Sequence, residues 1–307
     1  MAKSSPHQSA KAAIPAGNGC APDHCAAAPE AAYGYPRDFL NNKFVYLVIS
    51  PRAGGLSIGV NVNPVLQCTF DCLYCEINRA QPSRATRFDA EKMAGELRET
   101  FTLARDGGLR QLPRYAHLPE ELLQVRHVSV SGDGEPTLSN YFTEAVEAIV
   151  HLRVIGALPF FKVVVVTNSS ALDRAEVQRG LKLLTREDEI WAKLDAGTQE
   201  YLNKVNRASV SLDKIIGNIL SVGRQRPVVI QSLFPAINGE PPPAREIKQY
   251  AGRLKELKEA GAEIPLVQIY SATRPMARDG CTHLPLKSLS EIARTVRRVA
   301  GLRTEVY

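Results

Sequence analysis

The chain has 307 residues, of which 44% are hydrophobic and 23% charged, the balance of a globular protein. That length allows two small domains or one α/β barrel, with enough core to fold without disulfides. Its 38 basic residues exceed 32 acidic ones by six, and its apolar runs, such as Val163 to Val166, fall far short of the roughly 20 residues of a membrane span. With no basic start and apolar stretch of a secretory signal, the expectation is a cytoplasmic protein with no membrane partner.

Residues 1–36 are rich in Ala, Pro, Ser, Gly and Asn without an apolar period, which predicts a disordered tail ahead of a core domain at 37–307. Cys20 and Cys25 lie in this tail with His24 between them, at a spacing unlike a standard zinc pair. Strands are predicted at 44–49 and 56–62, short β-branched stretches bounded by Gly or Pro. A helix is predicted at 88–105, where Met93, Leu97 and Phe101 recur at helical spacing. A strand at 125–131 runs into a Gly-rich turn and a helix with Phe142, Val146 and Ile149 on one side. Next come a strand at 162–167, a helix at 171–184, a strand at 189–195, and helical patterns at 198–206 and 211–222. The chain continues with a strand at 227–234, a helix at 243–260 with Ile247, Tyr250, Leu254 and Leu257 as its buried stripe, and a strand at 264–270. A helix at 288–300 and a last short strand end it.

From Leu56 this makes about six strand-then-helix units, the pattern of a parallel sheet covered by helices. Six units are too few for the eight of a full barrel and predict a partial (β/α)6 barrel; on pattern alone an open doubly wound sheet fits equally well. Either puts the ligand site at the carboxyl ends of the strands. From Pro241 onward there are 12 basic and 7 acidic residues, and Arg294, Arg297 and Arg298 share the last helix. They read as a solvated face, with an RNA-binding stripe as the alternative.

Three of the six cysteines, Cys68, Cys72 and Cys75, lie within eight residues, which points to metal or redox chemistry rather than disulfides. They sit in the loop Asn63-Pro64-Val65-Leu66-Gln67-Cys68-Thr69-Phe70-Asp71-Cys72-Leu73-Tyr74-Cys75, after a predicted strand. Three thiolates can ligate three irons of a cubane cluster and leave the fourth open to a small molecule. Zinc, the competitor, wants four ligands, and only His127 and His283 stand as distant candidates for the fourth. Cys281, beside His283, reads as a small buried residue, with a substrate-side thiol or stray ligand as alternatives. Lys193 and Asp195 are two apart on a strand and share a face; buried, they need each other or a ligand.

The spacing Cys68-x3-Cys72-x2-Cys75, with Tyr74 directly before the last cysteine, resembles the cluster loop of the radical S-adenosylmethionine (SAM) superfamily, and the resemblance extends in strand order over residues 44–307. Ser129-Val130-Ser131-Gly132-Asp133-Gly134-Glu135-Pro136-Thr137-Leu138 resembles that superfamily's Gly-Gly-Glu-Pro motif, with Asp133 interrupting the glycines. The resemblance implies a [4Fe–4S] cluster on Cys68, Cys72 and Cys75, with S-adenosyl-L-methionine on the open iron. It also implies that Gly134 and Glu135 hold the amino group, with Asp133 as the alternative carboxylate, that Thr167 and Asn168 approach the methionyl part, that Asp195 holds the ribose, and that Tyr74 and Tyr270 lie by the adenine. Gln231 and Gln268 are expected to line the lumen by the same strand geometry. The stretch Val267 to Pro275 looks like the stand-alone branch related to wyosine-tRNA synthesis enzymes, where Arg274 either meets a substrate anion or pairs with Asp279.

The activity implied by the resemblance is reductive cleavage of SAM and hydrogen abstraction from an unknown substrate, an RNA base being one candidate. Such an enzyme would need an electron donor such as flavodoxin or ferredoxin, and an RNA or protein substrate. Two alternatives stand beside it: an activating enzyme for a glycyl-radical partner, and a non-enzymatic iron–sulfur or zinc protein. No catalytic residue is assigned.

Overall fold

The computed structural model describes residues 39–77, 87–273, 276 and 280–307. The tail at 1–36 with Cys20, His24 and Cys25, and the pair Arg274 and Asp279, lie outside the described residues.

Among the described residues ten strands run in chain order: β1 (Val45–Ser50), β2 (Gly55–Asn61), β3 (Val125–Ser131), β4 (Lys162–Thr167), β5 (Glu189–Lys193), β6 (Val228–Leu233), β7 (Ala236–Ile237), β8 (Val267–Tyr270), β9 (Cys281–Thr282) and β10 (Thr304–Val306). Among the described residues eight α-helices accompany them: α1 (Ala90–Arg105), α2 (Glu120–Leu123), α3 (Phe142–Val154), α4 (Ala175–Leu181), α5 (Gln199–Val205), α6 (Leu212–Gly223), α7 (Ala244–Glu259) and α8 (Leu286–Ala300). The main sheet has the order β1-β2-β3-β4-β5-β6-β8-β10, and β7 pairs with β9 apart from it. β1 is antiparallel to β2, and every later pair in the sheet is parallel.

The strand order advances in one direction with no reversal, whereas a doubly wound sheet turns back at a switch point. The sheet is therefore a curled half-barrel, the expected partial barrel, with β10 as an added parallel strand and β1 as an antiparallel edge. β1 and β10 do not pair, so the barrel stays open.

Burial on both faces explains the strands' composition. Leu56, Ile58 and Val60 on β2 are fully buried in the main core, while the alternate positions Ser57, Gly59 and Asn61 carry small or polar groups on the other face. That concave face holds a hydrogen-bonded ladder: His127 Nε2 to Ser57 Oγ (2.9 Å), Ser57 to Ser129 (3.2 Å), Ser129 to Ser131 (3.2 Å) and Ser131 to the Tyr46 hydroxyl (2.8 Å). Gly59 makes the last step feasible, since a Cβ there would lie 2.3 Å from the Tyr46 ring. Gln231 donates to Gln268 at 2.8 Å, side by side in register. A small separate apolar cluster of Val164, Trp191 and Val229 completes the interior. Outside, α1 starts on an Asp89 cap and buries Met93, Leu97 and Phe101; α8 buries Leu289, Ile292 and Val296 and leaves Arg294, Arg297 and Arg298 exposed.

Some boundaries differ from expectation for local reasons. The helix predicted over 171–184 forms only at Ala175–Leu181, because the residues before it turn inward. The Asn168 side chain accepts from Ser170 N (3.0 Å), and Ser169 adopts φ 67°, an Asx-type turn that competes with helix. The strand predicted at 264–270 begins at Val267, after Pro265, which lacks a ladder N–H. The strand at 189–195 stops at Lys193. α2 and the β7–β9 pair carry no period in the sequence. Among the described residues no helix is long and apolar enough to cross a membrane.

Candidate functional site

The cysteine loop leaves the carboxyl end of β2 and is held from both sides. Upstream, Asn63 Nδ2 donates to the carbonyls of Gln67 (2.8 Å) and Glu135 (2.9 Å), and Glu135 N donates to Gln67 O (2.8 Å). This close approach requires a glycine: a Cβ on Gly134 would lie 2.5 Å from Gln67 O. Downstream, Asp71 N donates to Asn206 O (2.8 Å), Leu73 N to Val205 O (2.9 Å) and Ser209 N to Thr69 O (2.8 Å), which ties the loop to the end of α5.

Cys68, Cys72 and Cys75 are all half-buried. Amide donors approach two of the sulfurs: Phe70 N (3.4 Å) and Asn168 Nδ2 (3.5 Å) meet Cys68, and Asn206 Nδ2 (3.3 Å) meets Cys72. Burial pushes the Cys72 thiol up to about 12, partly opposed by the Lys193 charge. Without a bound cation it stays protonated; iron would reverse that and bind the thiolate. Among the described residues no three His, Cys, Asp or Glu side chains converge on one ion position. Thiols spread along a loop, with amide N–H groups on their sulfurs, suit a cluster that takes one thiolate per iron. The zinc candidates do not join them: His127 is bonded to Ser57 in the lumen and His283 is exposed.

Glu135 is held by the protein itself. Its carboxylate, expected to face an amino group, is 3% exposed and accepts four hydrogen bonds from the protein. These come from Thr137 N (3.1 Å), Thr137 Oγ1 (2.6 Å), Thr167 Oγ1 (2.6 Å) and Asn168 N (2.7 Å). Burial raises its pKa and those donors oppose the rise. Glu135 thus ties the ends of β3 and β4 together, and Thr167 and Asn168 are its partners. Asp133 accepts from Asn61 Nδ2 at 2.9 Å.

Lys193 and Asp195 do meet, with Nζ 3.4 Å from Oδ2. Asp195 is buried and heavily engaged: Tyr74 donates its hydroxyl to Oδ2, Asn206 Nδ2 donates to the same oxygen (2.8 Å), and Leu233 N donates to Oδ1 (2.8 Å). It is absent from the lining of the adjoining cavity, so a ribose contact at Asp195 has to compete with these partners. Lys193 Nζ also donates to the Tyr270 hydroxyl (3.2 Å) and lies 5.1 Å from the Tyr74 ring centre. Burial alone would lower the Lys193 pKa, but Asp195 and then Tyr270 outweigh it and hold the ammonium above its ordinary value. A cavity of about 320 Å³ opens here, lined among others by Tyr74, Cys75, Gly132, Lys193 and Tyr270. That is the size of a small-molecule site.

Two participants escape the sequence reading. Asn206 is the residue capping α5 and reaches Cys72, Tyr74 and Asp195 at once. Arg52 sits in the β1–β2 turn and lines the cavity. Cys281 is buried, its thiol 3.2 Å from the Met276 sulfur, as a small packing residue would be.

No protein-family model matches the chain. It is 31% identical over 178 residues to a UPF0026 protein of Synechocystis sp., an alignment covering 57% of this chain and 57% of that protein; the chain thus spans little more than half of this relative. A radical SAM methyltransferase from Sphaerobacter thermophilus superposes with a TM-score of 0.56 at 17% identity, over 86% of this chain and 68% of that one. A structure of TYW1 with a lysine–pyruvate adduct bound superposes with a TM-score of 0.53 at 16% identity, over 86% of this chain and 85% of that one. The half-barrel is thus the radical SAM fold, in a chain related by sequence to the UPF0026 proteins.

Proposed function

We propose that the chain is a radical SAM enzyme, with a [4Fe–4S] cluster on Cys68, Cys72 and Cys75 and SAM in the adjoining cavity. The observation that carries this reading is the position of the three-thiol loop at the carboxyl mouth of the parallel sheet, with Cys75 lining a cavity of small-molecule size. When bound, cluster and SAM together supply one-electron cleavage of the sulfonium bond, yielding a 5′-deoxyadenosyl radical.

The chain's own residues do the rest. Asn168 and Asn206 direct N–H groups at the sulfurs and fix their orientation. Glu135 anchors the turn after β3, so that the backbone at Gly132, which lines the cavity, is what the motif offers an amino group. Tyr74 presents its ring to the cavity with its hydroxyl pinned by Asp195. Leu233 and Ala272 add apolar wall that displaces water. A small carrier such as flavodoxin or ferredoxin would supply the electron. If the substrate is an RNA base, Arg294, Arg297 and Arg298 on α8 form the surface it meets, and binding then weakens steeply with salt.

Metal analysis after anaerobic reconstitution tests the proposal. Roughly four irons and four sulfides per chain are expected, lost when Cys72→Ala is introduced. Stoichiometric zinc in place of iron contradicts it.

A further inference from the structure

Arg52 is set in the wall of the cavity, which Glu76 also lines, and forms no ion pair with a described carboxylate. Its guanidinium carbon lies 4.0 Å from the Tyr270 ring centre. Its Nε is buried and has no hydrogen-bond partner.

Other buried or half-buried cations differ. Arg153 grips Asp188 through both terminal nitrogens, Lys193 has Asp195, and Arg226 donates to the carbonyls of Leu181, Thr185 and Asp188. A buried N–H without an acceptor is costly, and Arg52 Nε is such a group on a half-buried guanidinium. The stack on Tyr270 offsets part of that cost and holds the group's plane, yet it uses none of the N–H donors.

We infer that Arg52 binds the anionic group of the substrate, a carboxylate or phosphate. This rests on the radical SAM reading for the site as a whole. The guanidinium fork matches the paired oxygens of either anion, which a point-charge ammonium cannot do. Cys75 lines the same cavity, so a substrate held by its anion at Arg52 lies in the space shared with the cluster loop. The rival occupant is the carboxylate of SAM itself, and the experiment separates the two.

Trp191, the single tryptophan, packs with Val164 and Val229 against Ala53, the residue after Arg52. Its fluorescence therefore reports on that wall. The reconstituted full-length protein is titrated with acetate and with inorganic phosphate, each with and without saturating SAM. The expected result is a saturable change with at least one anion that persists when SAM is bound, the tighter anion identifying the substrate's group. Arg52→Gln should weaken it roughly ten- to a hundredfold.

Three results overturn the inference: no saturable change with either anion, equal affinity in wild type and Arg52→Gln, or loss of anion binding when SAM is added. Should Arg52→Gln not fold, Arg52→Lys carries the test, since it keeps the charge and loses the fork; an affinity within about twofold of wild type then counts against the assignment. Release of 5′-deoxyadenosine from the same preparation tests the radical SAM reading separately, so either can fail without the other.

Discussion

Strand β5 carries a buried aspartate at each end, and the two have opposite company. Asp188, just before the strand, accepts from Arg153 Nη1 (2.7 Å) and Nη2 (3.0 Å), Val163 N (2.8 Å), Thr185 N (2.7 Å) and Thr185 Oγ1 (3.0 Å). Burial pushes its pKa up, but Arg153 and the N–H donors outweigh that and hold the carboxyl below its ordinary value. Asp195, just past the strand, is bonded instead to a phenol and an amide that also serve the cysteine loop, and to a lysine that faces a cavity. The amino end is a closed ion pair that fixes β4 to β5. The carboxyl end sets a cation and two aromatic side chains, Lys193, Tyr74 and Tyr270, in the wall of a cavity. One strand thus shows how a half-barrel divides its labour: stability at the bottom, chemistry at the top.

Replacing Asp188 is the largest way to test that division. Asp188→Asn removes the countercharge of Arg153, whose side chain is 7% exposed. The expected loss is about 3–5 kcal/mol in denaturant unfolding, with iron loading per folded molecule unchanged. A loss below about 1 kcal/mol would put Asp188 on a par with a surface pair.

His127 gives a test by pH. Burial lowers its pKa to about 4, with Glu189 opposing. The unfolded chain takes up this proton near 6.5 and the folded one only near 4, so the unfolded state binds more protons in between. Stability should therefore fall as pH drops from 6.5 toward 4, by roughly 3 kcal/mol in total. His127→Gln should flatten that slope in unfolding curves measured across the window.

Asp195→Asn should cost less than Asp188→Asn, about 1–2 kcal/mol, because Lys193 keeps Tyr270 and is partly exposed. Its larger effect should be on SAM affinity by equilibrium dialysis, as Tyr74 and Lys193 lose their common anchor. A variant that binds SAM like wild type but melts like Asp188→Asn would erase the distinction between the two ends. Smallest in stability is Asn206→Ala, which removes the N–H donor to Cys72. Donors to sulfur favour the reduced cluster, so its reduction potential should move to more negative values in an EPR-monitored titration.

Much of this is readable from residue spacing. Alternating β-branched and helical stretches locate the strands of the sheet to within a few residues, because strands buried on both faces read as short apolar runs. The three cysteines stand out because thiols are rare and their spacing is tight. The parity of Lys193 and Asp195 predicts their pairing. What spacing cannot report is which way a carboxylate turns when several donors compete. The motif sets Glu135 beside an expected amino group but does not show that Thr137, Thr167 and Asn168 also donate to its carboxylate from two strands' ends. Nor does local pattern reveal partners far apart in sequence. Asn206 is an ordinary helix cap until folding brings it to Cys72, 134 positions away, and Arg52 is an ordinary turn residue until Tyr270 lies beneath it.

Whether the thiol loop and the cavity work together as a radical source is decided by 5′-deoxyadenosine release, measured by chromatography on the anaerobically reconstituted protein given SAM and dithionite. Wild type should form it, and Cys72→Ala should form none at equal protein concentration. A wild-type protein that loads a full cluster and binds SAM, yet releases no 5′-deoxyadenosine, or a Cys72→Ala variant that releases as much as wild type, would contradict the radical SAM reading.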